Sequence, residues 1–240
     1  YMYGGNTTTR EEDVVIKNCE ITGQYYSPMM MYYLERPQFH ENYVEKTSNY
    51  LYSYYMGYWY YNADISLERN TFINTSPGYR FGVYIYQAQG TDNRIVNNFI
   101  TMQNTSNYYA YGFYIYYANN LNFSHNTIYM DGGSTTSRGI NQYYGSNQVY
   151  YNNIVYNQTN GYAVYHYTPS AVVDMDYNLY YSTSNLMAYW NGNRADLPAF
   201  QTASGMNGNS VSKTVSFKAP LLGDLHLVSP SEDDTDLFGT

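Results

Sequence analysis

Two carboxylates, Asp174 and Asp176, flank Met175. On an extended strand, residues two apart share a face, so both acids point the same way. A glycoside hydrolase starts from such a pair, and a calcium site starts from clustered carboxylates. One repeat earlier (the repeat is derived below) the corresponding positions hold Gln148 and Tyr150, and before that Asn122 and Ser124. No second acidic pair and no Lys or Arg base joins them, so a solvated face is the expectation. The four histidines, His40, His125, His166 and His226, show no metal-ligand spacing. His166 falls on an inward position and is expected to be hydrogen-bonded in the core, whereas His226 is expected to face outward. Met29, Met30 and Met31 would suit copper, but strand alternation splits them between two faces. There is no phosphate loop and no nucleophile triad.

Tyrosine is the chemistry the chain has in quantity, at 36 of 240 residues. Segments opening on glycine recur: Gly57 to Ala63, Gly82 to Ala88, Gly112 to Ala118 and Gly139 to Gly145, with a weaker fifth at Ala163 to Tyr167. With Val83, Ile85, Phe113 and Ile115 inward, aligning these segments gives an outward column of Tyr61, Tyr86, Tyr116, Tyr143 and Tyr167. Beside it runs Trp59, Tyr84, Tyr114, Asn141 and Tyr165. Tyrosine offers a large contact area at low entropic cost, and a hydroxyl. Such a stripe suits a protein partner or neighbouring subunit, or a cell-surface glycan stacked on ring faces. The plainer alternative is that the same chain covers it, or that the rings serve only as cross-strand pairs.

The elements that position these residues repeat. The pattern apolar, two residues, Asn, one residue, apolar occurs at Phe39-Asn42-Val44, Leu67-Asn70-Phe72, Ile95-Asn98-Ile100, Phe123-Asn126-Ile128, Val149-Asn152-Ile154 and Met175-Asn178-Tyr180. Ile16-Cys19-Ile21 fits the same frame with Cys in place of Asn. The glycine segments share the period, about 26 residues. Side chains alternate with period two within each motif, which predicts strands. No helical pattern separates the units, and the period is too short for a propeller blade. A solenoid remains, each unit one coil, each strand pairing in parallel with its equivalent one coil away. Leu67, Ile95, Phe123, Val149 and Met175 would form one interior column, and Phe72, Ile100, Ile128, Ile154 and Tyr180 another. The Asn column is expected in a left-handed turn, its amides bonding along the axis. Polar loops at 74–78, 103–107 and 131–136 would absorb differences in coil length.

The segments ISLERNTFIN, NRIVNNFITM, LNFSHNTIYM, NQVYYNNIVYN and DMDYNLYYS resemble the pectate-lyase-like, right-handed parallel β-helix superfamily of large secreted and surface bacterial proteins. The resemblance implies an all-β, right-handed parallel β-helix of about seven coils with a short C-terminal cap. It specifies function poorly, because enzymes, adhesins and phage tailspikes share the fold. The coils would occupy residues 1–182, the cap 183–229, and an acidic linker or the start of a further segment 230–240. Within the cap, Leu197, Phe200 and Ala203 predict a short helix after Asp196, closing at Gly205; Val215 to Phe217 and Leu225 to Leu227 read as strands covering the open end.

Composition narrows the function. Eleven basic against nineteen acidic residues give a net charge of −8, which argues against a nucleic-acid partner. No apolar run approaches the roughly 18 residues of a membrane span. One cysteine, Cys19, forms no internal disulfide. Low charge with abundant Asn, Thr, Ser and Tyr suits an extracellular or cell-surface location, and the chain reads as a segment of a larger protein. No cofactor is implied; calcium finds no ligand cluster. The expected function is non-catalytic adhesion or assembly through the Tyr-rich face. The alternative is polysaccharide binding or degradation by a lyase or hydrolase.

Overall fold

The computed structural model of the protein describes residues 1–23, 27–47, 55–103 and 108–237. They form an all-β solenoid of about six turns with 7% helix. Each full turn contributes three strand segments, for example Arg80–Tyr86, Asn93–Val96 and Phe99–Gln103. The first and second rows join into one large sheet through the long strands Ala110–Ser124 and Arg138–Tyr151. The third row is a separate sheet of seven rungs, from Glu20–Ile21 to Leu179–Ser182. Pairing between coils is parallel throughout. One further first-row rung, Ala188–Trp190, follows residue 182. The described loops at 74–78 and 131–136 lie at one corner, between the third row and the next first row; residues 104–107 of the loop expected at 103–107 lie outside the described residues.

The interior follows the predicted columns, with one slip of register. Leu67, Ile95 and Phe123 stack as expected, but the next member is Tyr150, not Val149. Likewise Val155, not Ile154, continues the column Phe72, Ile100 and Ile128. The amide ladder explains the slip. Asn98 donates its backbone N–H (3.0 Å) and Nδ2 (2.9 Å) to Asn126 Oδ1, and Nδ2 also reaches Leu67 O at 2.8 Å. Asn126 makes the same contacts with Asn153, so Asn153 and not Asn152 is the ladder residue. Both asparagines satisfy the spacing rule, but only one frame buries an amide and completes its bonds.

The left-handed turn residue is also displaced by one. It is the residue before each ladder asparagine: Glu41, Arg69, Asn97, His125, Asn152 and Tyr177 all have φ between 54° and 58°. The ladder asparagine itself is buried, and its side chain receives the backbone N–H of the preceding coil.

The C-terminal region divides into two functions. The helix Leu197–Ser204 closes the end of the solenoid. Asp196 caps it by accepting Ala199 N–H at 2.9 Å, and Gly205 ends it at φ 69°, where a Cβ is strained. Phe200, fully buried, sits 5.9 Å from the Trp190 ring and 5.8 Å from the Tyr180 ring. The strands Phe217–Ala219 and Asp224–Leu227 pair antiparallel but do not cover that end, contrary to expectation. They fold back along the third-row sheet, where Thr101 Oγ1 donates to Pro220 O at 2.8 Å and Phe217 packs edge-on to Tyr129 and Tyr156. The reason is apolar area: Tyr129, Ile154, Tyr156, Leu179, Val215 and Leu225 form a second buried cluster outside the solenoid wall.

Candidate functional site

The first-row strands build the outward aromatic face, and its extent exceeds the predicted stripe. One column runs Tyr3, Tyr32, Tyr60, Tyr86, Tyr116, Tyr143 and Tyr167. Successive ring centroids are 6.2, 5.3, 5.0, 5.0, 6.0 and 4.8 Å apart. Six steps between rungs at the strand spacing span about 29 Å. A second column holds Tyr58, Tyr84 and Tyr114 at 5.0 and 4.4 Å, then Asn141, then Tyr165 and Tyr189 at 4.3 Å.

Two of the predicted site residues are placed differently. Trp59 pairs with Ile85, is 1% exposed and packs on Phe39 inside the solenoid. Tyr61 stands in the turn at φ 54° and borders the stripe, 5.6 Å from the Tyr86 ring. Tyr58 and Tyr60 take the outward positions. The cause is the choice of glycine. Aligning Gly57 with Gly82 shifts this coil by one, whereas Gly57 in fact pairs with Val83. A Cβ on Gly57 would stand 2.3 Å from the Trp59 indole, so glycine there makes room for the ring. The alternation aromatic-out, apolar-in over residues 55–60 carries the signal that corrects it. The remaining predicted residues, Tyr84, Tyr86, Tyr114, Tyr116, Tyr143, Tyr165 and Tyr167, all lie on the face.

The ring geometry limits what the face can do. Tyr60, Tyr86 and Tyr116 stack at 13° and 5°, and Tyr84 on Tyr114 at 9°. A ring within such a run, Tyr86 between Tyr60 and Tyr116 or Tyr84 between Tyr58 and Tyr114, has its π-faces against the rings above and below. Ring edges and hydroxyl groups are therefore what it presents outward. Burial within the stack raises the phenol pKa of Tyr58, Tyr84 and Tyr114, and neighbouring tyrosines add to the effect.

The sequence reading also missed a cation that interrupts the inner column. Where Asn141 replaces tyrosine, the Arg138 guanidinium lies 3.5 Å over the Tyr165 ring and 5.3 Å from the Tyr111 ring. Arg138 Nη1 donates to Asn141 Oδ1 at 2.7 Å. The cation fills the gap and is held by the ring quadrupoles.

Elsewhere several carboxylates are committed to bonds within the chain. Asp174 accepts the Tyr151 hydroxyl. Asp176 accepts Asn209 N–H (2.7 Å) and Nδ2 (2.8 Å), docking the segment after the helix. A shallow cleft of about 440 Å³ on the second row is lined by Arg36, Asp64, Asp92 and Arg94. Within it Asp64 Oδ1 accepts the N–H groups of Thr91 (2.6 Å) and Asp92 (2.8 Å), and Arg94 Nε donates to Glu68 at 3.0 Å. Among the described residues no three His, Cys, Asp or Glu side chains gather in metal-binding geometry, and no helix is long and apolar enough to cross a membrane.

His166 is inward, as expected, but its hydrogen bonding is not. Both ring nitrogens are buried with no hydrogen-bond partner, beside Gln142, whose amide is also unpartnered. The ring packs on Tyr150, Trp190 and Phe200, and burial pulls its pKa down to about 3.

Comparison with family models, with curated proteins and with solved structures gives no match.

Proposed function

We propose that the protein is a non-catalytic, extracellular β-helix segment of a bacterial surface protein. In this reading it belongs to the pectate-lyase-like superfamily and acts in adhesion or assembly, with the Tyr-rich first-row face as its contact surface. One observation carries the reading. The chain folds its own tail over the aromatic residues of the third row, while among the described residues the rings touching Tyr86 and Tyr116 belong to the first-row face or its border. A file of aromatic side chains about 29 Å long is more than scattered surface residues account for. Stacked rings offering edges and hydroxyls favour a protein surface over a sugar, because a sugar stacks on an open ring face. The commitment of Asp174 and Asp176 to bonds within the chain supports the non-catalytic part of the reading.

The test replaces Tyr86, Tyr116 and Tyr143 together with Ser and measures attachment to cells and co-purification of partners. Loss of attachment with an unchanged circular dichroism spectrum is expected. Full attachment by the folded triple variant would reject the face as the interface.

A further inference from the structure

The corner between the third row and the next first row encloses positive charge that no acid answers. Arg80 and Lys46 are both fully buried there. Arg80 Nη1 donates to the Gln103 carbonyl, while among the described residues its Nε and Nη2 have no partner. Gln103 follows Met102, Met102 pairs with Asn74, and Asn74 pairs with Lys46, so the two cations lie within three consecutive rungs of one corner. Residues 47–63, 75–91 and 102–130, which run through this corner on successive coils, contain no Asp or Glu. Glu45 and Asp131, at the ends of third-row strands, alternate with buried Lys46 and Met130 and so stand on the outward side. Burial alone pulls the Arg80 pKa down, to about 10, which leaves the guanidinium charged at neutral pH.

A third donor stands idle beside them. Asn74 Oδ1 accepts Ser76 N–H at 3.1 Å, just as Asn157 Oδ1, on the same column, accepts Thr159 N–H at 2.9 Å. Asn157 completes its turn by donating Nδ2 to Tyr162 O at 2.7 Å, whereas Asn74 Nδ2 is buried without a partner. Tyr162 is matched through Arg138 and Tyr111 by Phe81, so the same turn aims the idle amide at the start of the strand Arg80–Tyr86. We propose that this corner binds a small oxyanion in the side-on fork of Arg80 Nε and Nη2, with the Asn74 amide and the Lys46 charge beside it. The donor geometry selects the ligand class. Nε and Nη2 share one edge of the guanidinium, and two parallel N–H groups match two oxygens of a carboxylate, sulfate or phosphate. A water molecule would satisfy the donors but leave the charge uncompensated, and arginine does not shed its proton to escape burial. The bound ion would tie the third-row strand ends to the first-row strand that follows. Its occupancy is independent of any contact at the tyrosine face.

The test is equilibrium dialysis of the full chain against radiolabelled sulfate, phosphate and acetate in turn, with chloride holding the ionic strength constant. Saturable retention of one ion per chain is expected for at least one of the three, with a urea midpoint that rises as that ion is added. Retention of acetate alone identifies a carboxylate ligand, and retention of sulfate or phosphate a tetrahedral one. Arg80→Lys keeps the charge but not the fork and should weaken retention about tenfold or more; Arg80→Met should abolish it. No retention of any of the three ions, or retention by folded Arg80→Lys at full strength, would overturn the proposal. Because a variant at a buried arginine can fail to fold, the unsubstituted chain carrying isotope-labelled arginine supplies a second reading by NMR. The Nε–H resonance best protected from exchange should move in proportion to occupancy as the retained ion is titrated. A protected resonance that stays in place at saturation would overturn the assignment to Arg80.

Discussion

Two aromatic files climb the same solenoid and meet different fates. On the third row, Tyr129, Tyr156 and Tyr181 stack at 6.1 and 4.5 Å, and the C-terminal hairpin lays Phe217 edge-on across the first two. On the first row, seven tyrosines follow one another at similar spacing, and among the described residues the rings touching Tyr86 and Tyr116 belong to that face or its border. The local chemistry is the same: a parallel sheet repeats one side-chain position every rung, so one aromatic position becomes a ladder. What differs is the tail. Its Val215, Leu225 and Leu237 complete a buried cluster on the third row. Stacking therefore needs no cover to form, and cover is an additional choice of the chain. The lesson is that the exposed file is not an unavoidable by-product of tyrosine content.

The largest expected effect tests whether the two faces share one core. Phe123 is fully buried, 4.9 Å from the Phe113 ring and 5.4 Å from Tyr150. Phe123→Asp buries a charge without a partner and should cost about 4 kcal/mol or more. Both faces should melt together in urea, followed by tyrosine fluorescence and far-UV circular dichroism. Separate transitions would mean that the two files belong to independently folding parts.

A smaller effect acts beneath one file only. His166 lies under the C-terminal end of the first-row face and against the capping helix. Its pKa is about 3 in the fold against 6.5 for the free side chain. Well above pH 6.5 neither state holds the proton and stability is unaffected. As pH falls below 6.5 the unfolded chain binds a proton that the folded chain refuses, so stability declines until pH nears 3. One proton corresponds to about 1.4 kcal/mol per pH unit, so roughly 2 to 3 kcal/mol is lost by pH 4.5. Hydrogen exchange should show the helix and the rung Ala188–Trp190 loosening first. His166→Phe, which keeps a ring among Tyr150, Trp190 and Phe200, should remove this part of the acid sensitivity. An unchanged acid profile in that variant would assign the sensitivity to other groups.

The solenoid, its period and its parallel pairing were legible because a repeat multiplies a weak signal. Phe39, Leu67, Ile95 and Phe123 each say little, but together they fix a column. Register failed where two neighbours satisfied the same rule. Asn152 and Asn153 both carry amides, and only the bonds to Phe123 O and Asn126 N–H distinguish them. Gly57 misled for a related reason: glycine marks a close approach, but the partner in that approach is Trp59 of the same strand and not the next coil. The hairpin's position was not legible, because a short apolar strand does not state which surface it covers. His166 broke the rule that buried polar groups are paired, so sequence reasoning supplied a partner it does not have. Arg138 escaped notice since its role depends on two rings contributed by other coils.

The smallest expected effect bears most directly on the contrast between covered and bare files. Tyr156 is 6% exposed and held between Tyr181, Tyr129 and Phe217. Tyr156→Ser removes a ring from a closed cluster and should cost about 2 to 3 kcal/mol. Tyr86 lies in a stack of equal quality but with its outer edge uncovered, so Tyr86→Ser forfeits only cross-strand contacts worth under about 1 kcal/mol. Urea midpoints of the two variants, at equal m-value, give the comparison. A gap in this direction means that the first-row ladder is dispensable to the fold, and its tyrosines then need a reason other than stability. Equal losses would make the exposed ladder a structural brace, and the proposed contact surface would lose its physical basis.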